Sequence, residues 1–80
     1  MAKAIQIIGW YGVGTILTAF ALVSFEVVAP RSLTFQILNA TGALGILVEA
    51  LAKMDYQPVV LNLIWIIIAT VIIARILLGS

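Results

Sequence analysis

Three apolar runs separated by two short polar connections divide the chain, at about residues 5–28, 33–53 and 58–78. At about 1.5 Å of rise per residue, each run is long enough as a helix to cross a hydrocarbon core about 30 Å thick. The third run is rich in β-branched residues, which favour strands in water. A lone strand cannot satisfy its backbone hydrogen bonds in lipid, so the pattern predicts a helix there too. The first connection, Ala29-Pro30-Arg31-Ser32, stops a helix at its proline and offers Ser32 or Thr34 as the next N-cap. The second, Met54-Asp55-Tyr56-Gln57-Pro58, places a proline in the first turn of the last helix, where its missing N–H costs nothing. Connections this short make consecutive helices antiparallel neighbours.

The middle run has two distinct faces. On a 3.6-residue period Gln36, Asn39, Gly42, Ala43, Gly45, Glu49, Ala50 and Lys53 share one broad side, and Ile37, Leu44, Leu47, Val48 and Leu51 share the other. The small and polar side is expected to meet protein, and the aliphatic side lipid. The first run carries a similar strip in Gly9, Gly12 and Ala19, beside Trp10 and Tyr11 near its start. Small residues let helix backbones approach, and aromatics mark the bilayer interface. Gly9, Gly12, Ala19, Gly42 and Gly45 are therefore the candidate helix-packing residues.

Composition agrees with this pattern. Of 80 residues, 65% are apolar and 9% charged, against roughly 45–50% and 25% in soluble domains. The expected fold is all-α, an integral membrane protein whose single domain, residues 1–80, has three transmembrane helices. The first run is longer than a signal-peptide core and lacks a decisive cleavage site, so it is read as a retained helix. With no cysteine or histidine in the sequence, disulfides and the common transition-metal ligand sets are excluded. No cofactor is expected. The net charge of +1 is too small and too scattered for nucleic-acid binding.

The charges suggest local pairings rather than an orientation. Three crossings leave two Lys or Arg residues on each side, so the positive-inside rule does not choose between topologies. Glu26 and Arg75 approach the same interface, with Arg31 in the turn nearby, and are expected to tie the first helix to the third. Glu49 and Lys53 are spaced i,i+4 in the favourable order for an ion pair. Asn39 and Asn62 each lie about one turn inside an apolar run. They serve either to hydrogen-bond between helices or, with Trp65 and Glu49, to line a polar cavity. No phosphate loop, nucleophile elbow, metal cluster or paired carboxylates are present, and no enzymatic activity is expected.

The segments Pro30-Arg31-Ser32-Leu33, Gln36-Ile37-Leu38-Asn39 and Gly42-Ala43-Leu44-Gly45 recur with Tyr56-Gln57-Pro58, Val60-Leu61-Asn62 and Trp65. Together they resemble a widespread bacterial family of small three-helix membrane domains of unknown function, over about Gly9 to Arg75. The resemblance implies a bacterial inner-membrane protein and brings no activity with it. More distantly, Asn62 in the third helix resembles the substrate-site asparagine of bacterial half-size SWEET sugar transporters, which pair as homodimers around a cavity. Their first-helix proline-glutamine pair has no counterpart between Leu17 and Ser24. Two functions follow as expectations. One is a structural or accessory component embedded in the lipid bilayer, acting as a homo-oligomer or within a larger membrane complex. The other is a homodimeric half-transporter for a small neutral solute.

Overall fold

The computed structural model describes residues 2–79, which form three α-helices: α1 (Ala2–Ser24), α2 (Leu33–Ala52) and α3 (Tyr56–Leu78). All three are long and apolar enough to cross a membrane. Among the described residues there is no strand, and the β-branched run lies in α3 as a helix. The long axis of the molecule is 40 Å, so it exceeds the hydrocarbon thickness of roughly 30 Å and its ends reach the headgroup layers.

α1 ends at Ser24, four positions short of the boundary expected near Val28. The cause is a turn-over of the backbone at Glu26, whose φ of 62° is left-handed. Its N–H donates to the Val23 carbonyl at 3.0 Å, and the Val27 N–H donates to the Leu22 carbonyl at 2.8 Å. That pair of bonds is the Schellman closure of a helix. α2 ends the same way, with Met54 at φ 55°, its N–H bonded to Leu51 O at 3.1 Å and the Asp55 N–H bonded to Ala50 O at 2.9 Å. Both left-handed positions carry side chains instead of the usual glycine, so neither stop was marked by composition.

The start of α2 follows the expected capping. Ser32 takes an extended backbone conformation and its Oγ accepts from the Phe35 N–H at 3.2 Å. Gln36, at 5% exposure, reaches back so that its Nε2 donates to the Pro30 carbonyl at 2.9 Å. One buried amide thus fastens the α1–α2 turn. α3 begins at Tyr56, two residues before the expected start, and Pro58 remains within its first turn.

α2 is the central helix. α1 and α3 each pack against it and make no contact with one another among the described residues. Its share of buried residues, 33% of the apolar window, is three times that of the more apolar α3 at 11%. Burial here follows smallness rather than hydrophobicity. The buried apolar residues are Ala19, Ala43, Ala50 and Ala69, joined by Gly9, Gly12, Gly42 and Gly45. Lipid tails solvate leucine and isoleucine as well as protein does, so large aliphatics gain little by turning inward, while small residues gain close packing. Ile37, Leu44 and Leu51, the expected greasy side of α2, are accordingly exposed.

The glycines lie where α1 crosses α2. A Cβ placed on Gly12 would run into the Gly42 carbonyl oxygen and come within 2.8 Å of the Ile46 nitrogen. One on Gly45 would lie 2.8 Å from the Ile8 carbonyl oxygen and 3.2 Å from Gly12 Cα. These obstacles are backbone atoms, which cannot rotate aside. Ala43 and Ala50 sit roughly 80–160° further round α2 by helical geometry and supply the side left for α3. α3 answers with Asn62 and Ala69, its own buried residues.

Introducing a large side chain into this crossing should separate the helices. Gly12→Leu or Gly45→Leu is expected to destabilise the fold by at least about 1–3 kcal/mol, the usual cost of overpacking. Ala74→Leu is the control, because Ala74 is exposed on α3. Unfolding in sodium dodecyl sulfate, followed by tryptophan fluorescence, should shift to lower detergent for the first two variants and stay within about 0.5 kcal/mol for the third.

Candidate functional site

The helix-packing residues read from the sequence converge on one contact. Gly9, Gly12 and Ala19 of α1 are buried, as are Gly42 and Gly45 of α2. The protein met across the small face of α2 is therefore the chain's own first helix. None of the side-chain hydrogen bonds among the described residues passes from one helix to another. Thr15, Thr18 and Thr41 return their hydroxyls to carbonyls of their own helices, at 2.7, 2.8 and 2.9 Å. Asn62, expected to bond across helices or face a cavity, is 5% exposed and donates Nδ2 to the Pro58 carbonyl one turn back, at 2.8 Å. Helix association within the chain therefore rests on van der Waals packing of small residues.

Of the charged residues expected to pair, two do so and three stand apart. Glu49 and Lys53 form the expected ion pair, with 3.1 Å between Oε2 and Nζ. Its half-exposed geometry is worth about 0.3–0.5 kcal/mol. The tie expected between Glu26 and Arg75 is not made. Neither these residues nor Arg31 enters an ion pair among the described residues. The physical reason for the missing Glu26–Arg75 tie is that α1, which Glu26 follows, and α3, which carries Arg75, each pack on α2 and not on one another. Glu26, Arg31 and Arg75 are all exposed at the molecule's ends.

Of the four residues considered for a polar cavity, Glu49 and Trp65 line separate hollows. Glu49 lines a cleft of about 280 Å³ between α1 and α2, together with Gln6, Gly9, Trp10, Val13 and Lys53. Trp65 lines a separate apolar hollow of about 230 Å³ on α3, with Leu61, Ile64 and Ile68. Asn39 is buried on α2 at 6% exposure, and neither it nor Asn62 lines either hollow. Among the described residues no group of acidic or metal-ligating side chains has the arrangement of a metal site.

The Glu49 cleft is the most polar of these features, and α1 shapes half of it. Gln6, Gly9, Trp10 and Val13 recur at helical spacing on one side of α1, while Glu49 and Lys53 do so on α2. Gly9 makes the room, since a Cβ on it would fall onto the Glu49 carboxylate. Gln6 and Trp10 were not singled out from the sequence as site residues. Their signal was available as a Gln6–Trp10–Val13 register that continues the small strip through Gly9.

These helices and their contacts define a multi-pass helical membrane protein. A protein-family model matches residues 5–80, a span that takes in nearly all of α1 and the whole of α2 and α3, and the chain belongs to that family. No curated protein and no solved structure matches it.

The contact between Gly9 and Glu49 differs in kind from that at Gly12. The obstacle at Gly9 is the end of a flexible side chain, so Gly9→Ala is expected to cost at most about 1 kcal/mol as Glu49 swings out. That cost should disappear in a Glu49→Ala background, giving a coupling of about 0.5–1 kcal/mol in a double-mutant cycle. Gly12→Ala should keep its full cost in the same background.

Proposed function

We propose that this protein is a non-catalytic structural or accessory component of a bacterial inner membrane, and that it works by associating with a second copy of itself or with a larger membrane complex. The observation that carries this reading is a shallow depression on the exposed side of α1, bordered at one edge by α2. Gly14 is exposed there and a Cβ on it would meet nothing within 4 Å. Trp10, Tyr11, Thr15 and Thr18 of α1 and Leu38 of α2 border about 370 Å³ of it, open to the bilayer. The glycines at positions 9, 12, 42 and 45 are occupied by the α1–α2 crossing, so association with another chain has to use a different surface. The Gly14 hollow has the small floor and aromatic rim that a neighbouring helix needs for close approach.

The half-transporter reading has weaker support. Its candidate residues Asn62, Asn39 and Trp65 line no common hollow among those described: Trp65 borders one on α3 with Leu61, Ile64 and Ile68, while Asn39 and Asn62 are buried away from it. A two-copy arrangement would have to build the whole cavity at its interface.

Single-molecule photobleaching of the labelled chain in nanodiscs tests the proposal. Wild type is expected to count as an oligomer, or to recover a stoichiometric partner from its native membrane, and Gly14→Leu to count as a folded monomer. A wild-type monomer with no stoichiometric partner would contradict association. Saturable uptake of a small neutral solute into proteoliposomes, lost in Asn62→Leu, would establish transport instead.

A further inference from the structure

We propose that the cleft between α1 and α2 at Gly9 and Glu49 binds the headgroup of a zwitterionic aminophospholipid, an ammonium and a phosphate presented together. The cleft opens at the membrane interface. Glu49 lies one turn before the end of α2 at Ala52, and Gln6 lies about one turn after the start of α1 at Ala2. These two helix ends are on the same side of the bilayer because α1 and α2 are joined by a short turn and run antiparallel. At about 280 Å³ the cleft has the space of roughly nine waters at liquid density, enough for a compact headgroup and too little for a folded partner.

The chemistry of the walls selects the ligand. Glu49 offers carboxylate oxygens and Gln6 an amide carbonyl, both acceptors suited to a primary ammonium with three N–H donors. Lys53, whose side chain is 57% exposed, is free to swing from Glu49 to a phosphate. The existing Glu49–Lys53 pair at 3.1 Å is then exchanged for two pairs with the headgroup, so no charge is left without a partner. A quaternary ammonium has no N–H to donate, and one indole does not make an aromatic cage. An anionic glycerol headgroup would satisfy Lys53 while leaving Glu49 opposite a like charge. Trp10 stands at the rim at the level where indoles border headgroups, and the acyl chains continue over Val13 along the exposed side of α1.

The test uses the full chain with Trp65→Phe, so that Trp10 is the remaining tryptophan, in mild detergent. Lipids with brominated acyl chains are titrated and quenching of Trp10 is read. Phosphatidylethanolamine is expected to bind at least about tenfold more tightly than phosphatidylglycerol or phosphatidylcholine, and Glu49→Gln, nearly the same shape, to remove that preference. Lys53→Gln should weaken both phosphatidylethanolamine and phosphatidylcholine several-fold. Equal binding of the three lipids, or a preference untouched by Glu49→Gln, overturns the proposal. Free phosphoethanolamine displacing the brominated lipid at equal concentration would overturn the lipid assignment in favour of a soluble zwitterion. The unfolding profile in sodium dodecyl sulfate, shifted for Glu49→Gln by no more than the small contribution of the lost Glu49–Lys53 pair, separates lost binding from lost fold.

Discussion

Inside a bilayer, apolar helices have no hydrophobic reason to leave lipid for one another, and association depends on how closely their backbones can approach. The crossing of Gly12 over Gly42 and Gly45 is where this chain meets that requirement. Backbone atoms of α1 and α2 occupy the volume that any side chain would need. No side-chain hydrogen bond between helices supplements it among the described residues, and the single ion pair there, Glu49 to Lys53, lies within α2. The arrangement of the rest follows from this one crossing.

With α1 held against α2 at the glycines, α3 packs on what remains of α2, and Asn62 and Ala69 are its buried residues. The outer helices are thereby kept apart, and the polar residues at their far ends cannot meet. The same geometry opens the cleft at Gly9, since the close approach at Gly12 brings Glu49 alongside a residue with no side chain. Structure and candidate chemistry therefore share an origin. The glycine strip that packs the helices also creates the hollow lined by the Glu49–Lys53 pair.

Much of the fold was legible because the bilayer reduces the choices. Long apolar runs must be helices, short connections make them antiparallel, and the small face of α2 has to meet protein. Ser32 as a cap and the Glu49–Lys53 pair follow from local rules of the same kind. What the sequence left open involves three-dimensional choices between equivalent partners. The strips of α1 and α2 suit a second copy as well as each other, and periodicity does not distinguish the two. The Glu26–Arg75 tie was expected from a shared interface, but α1 and α3 each pack on α2 and not on one another, and the two residues are not brought together. The end of α1 was displaced because Glu26 adopts left-handed backbone without being glycine, whereas α2 stops at Ala52 with the expected Lys53 as its C-cap. Asn62 was expected either to bond across helices or to line a cavity, whereas its amide donates to the nearer Pro58 carbonyl.

The central claim is that the glycine crossing joins α1 and α2 of one chain. Solid-state NMR on glycine-Cα-labelled protein in bilayers measures it directly, through correlations between Gly12 and Gly42 or Gly45. The account predicts that these cross peaks persist when labelled chain is diluted into an excess of unlabelled chain. Their absence, or their loss on dilution, would place the crossing elsewhere or between chains and contradict it.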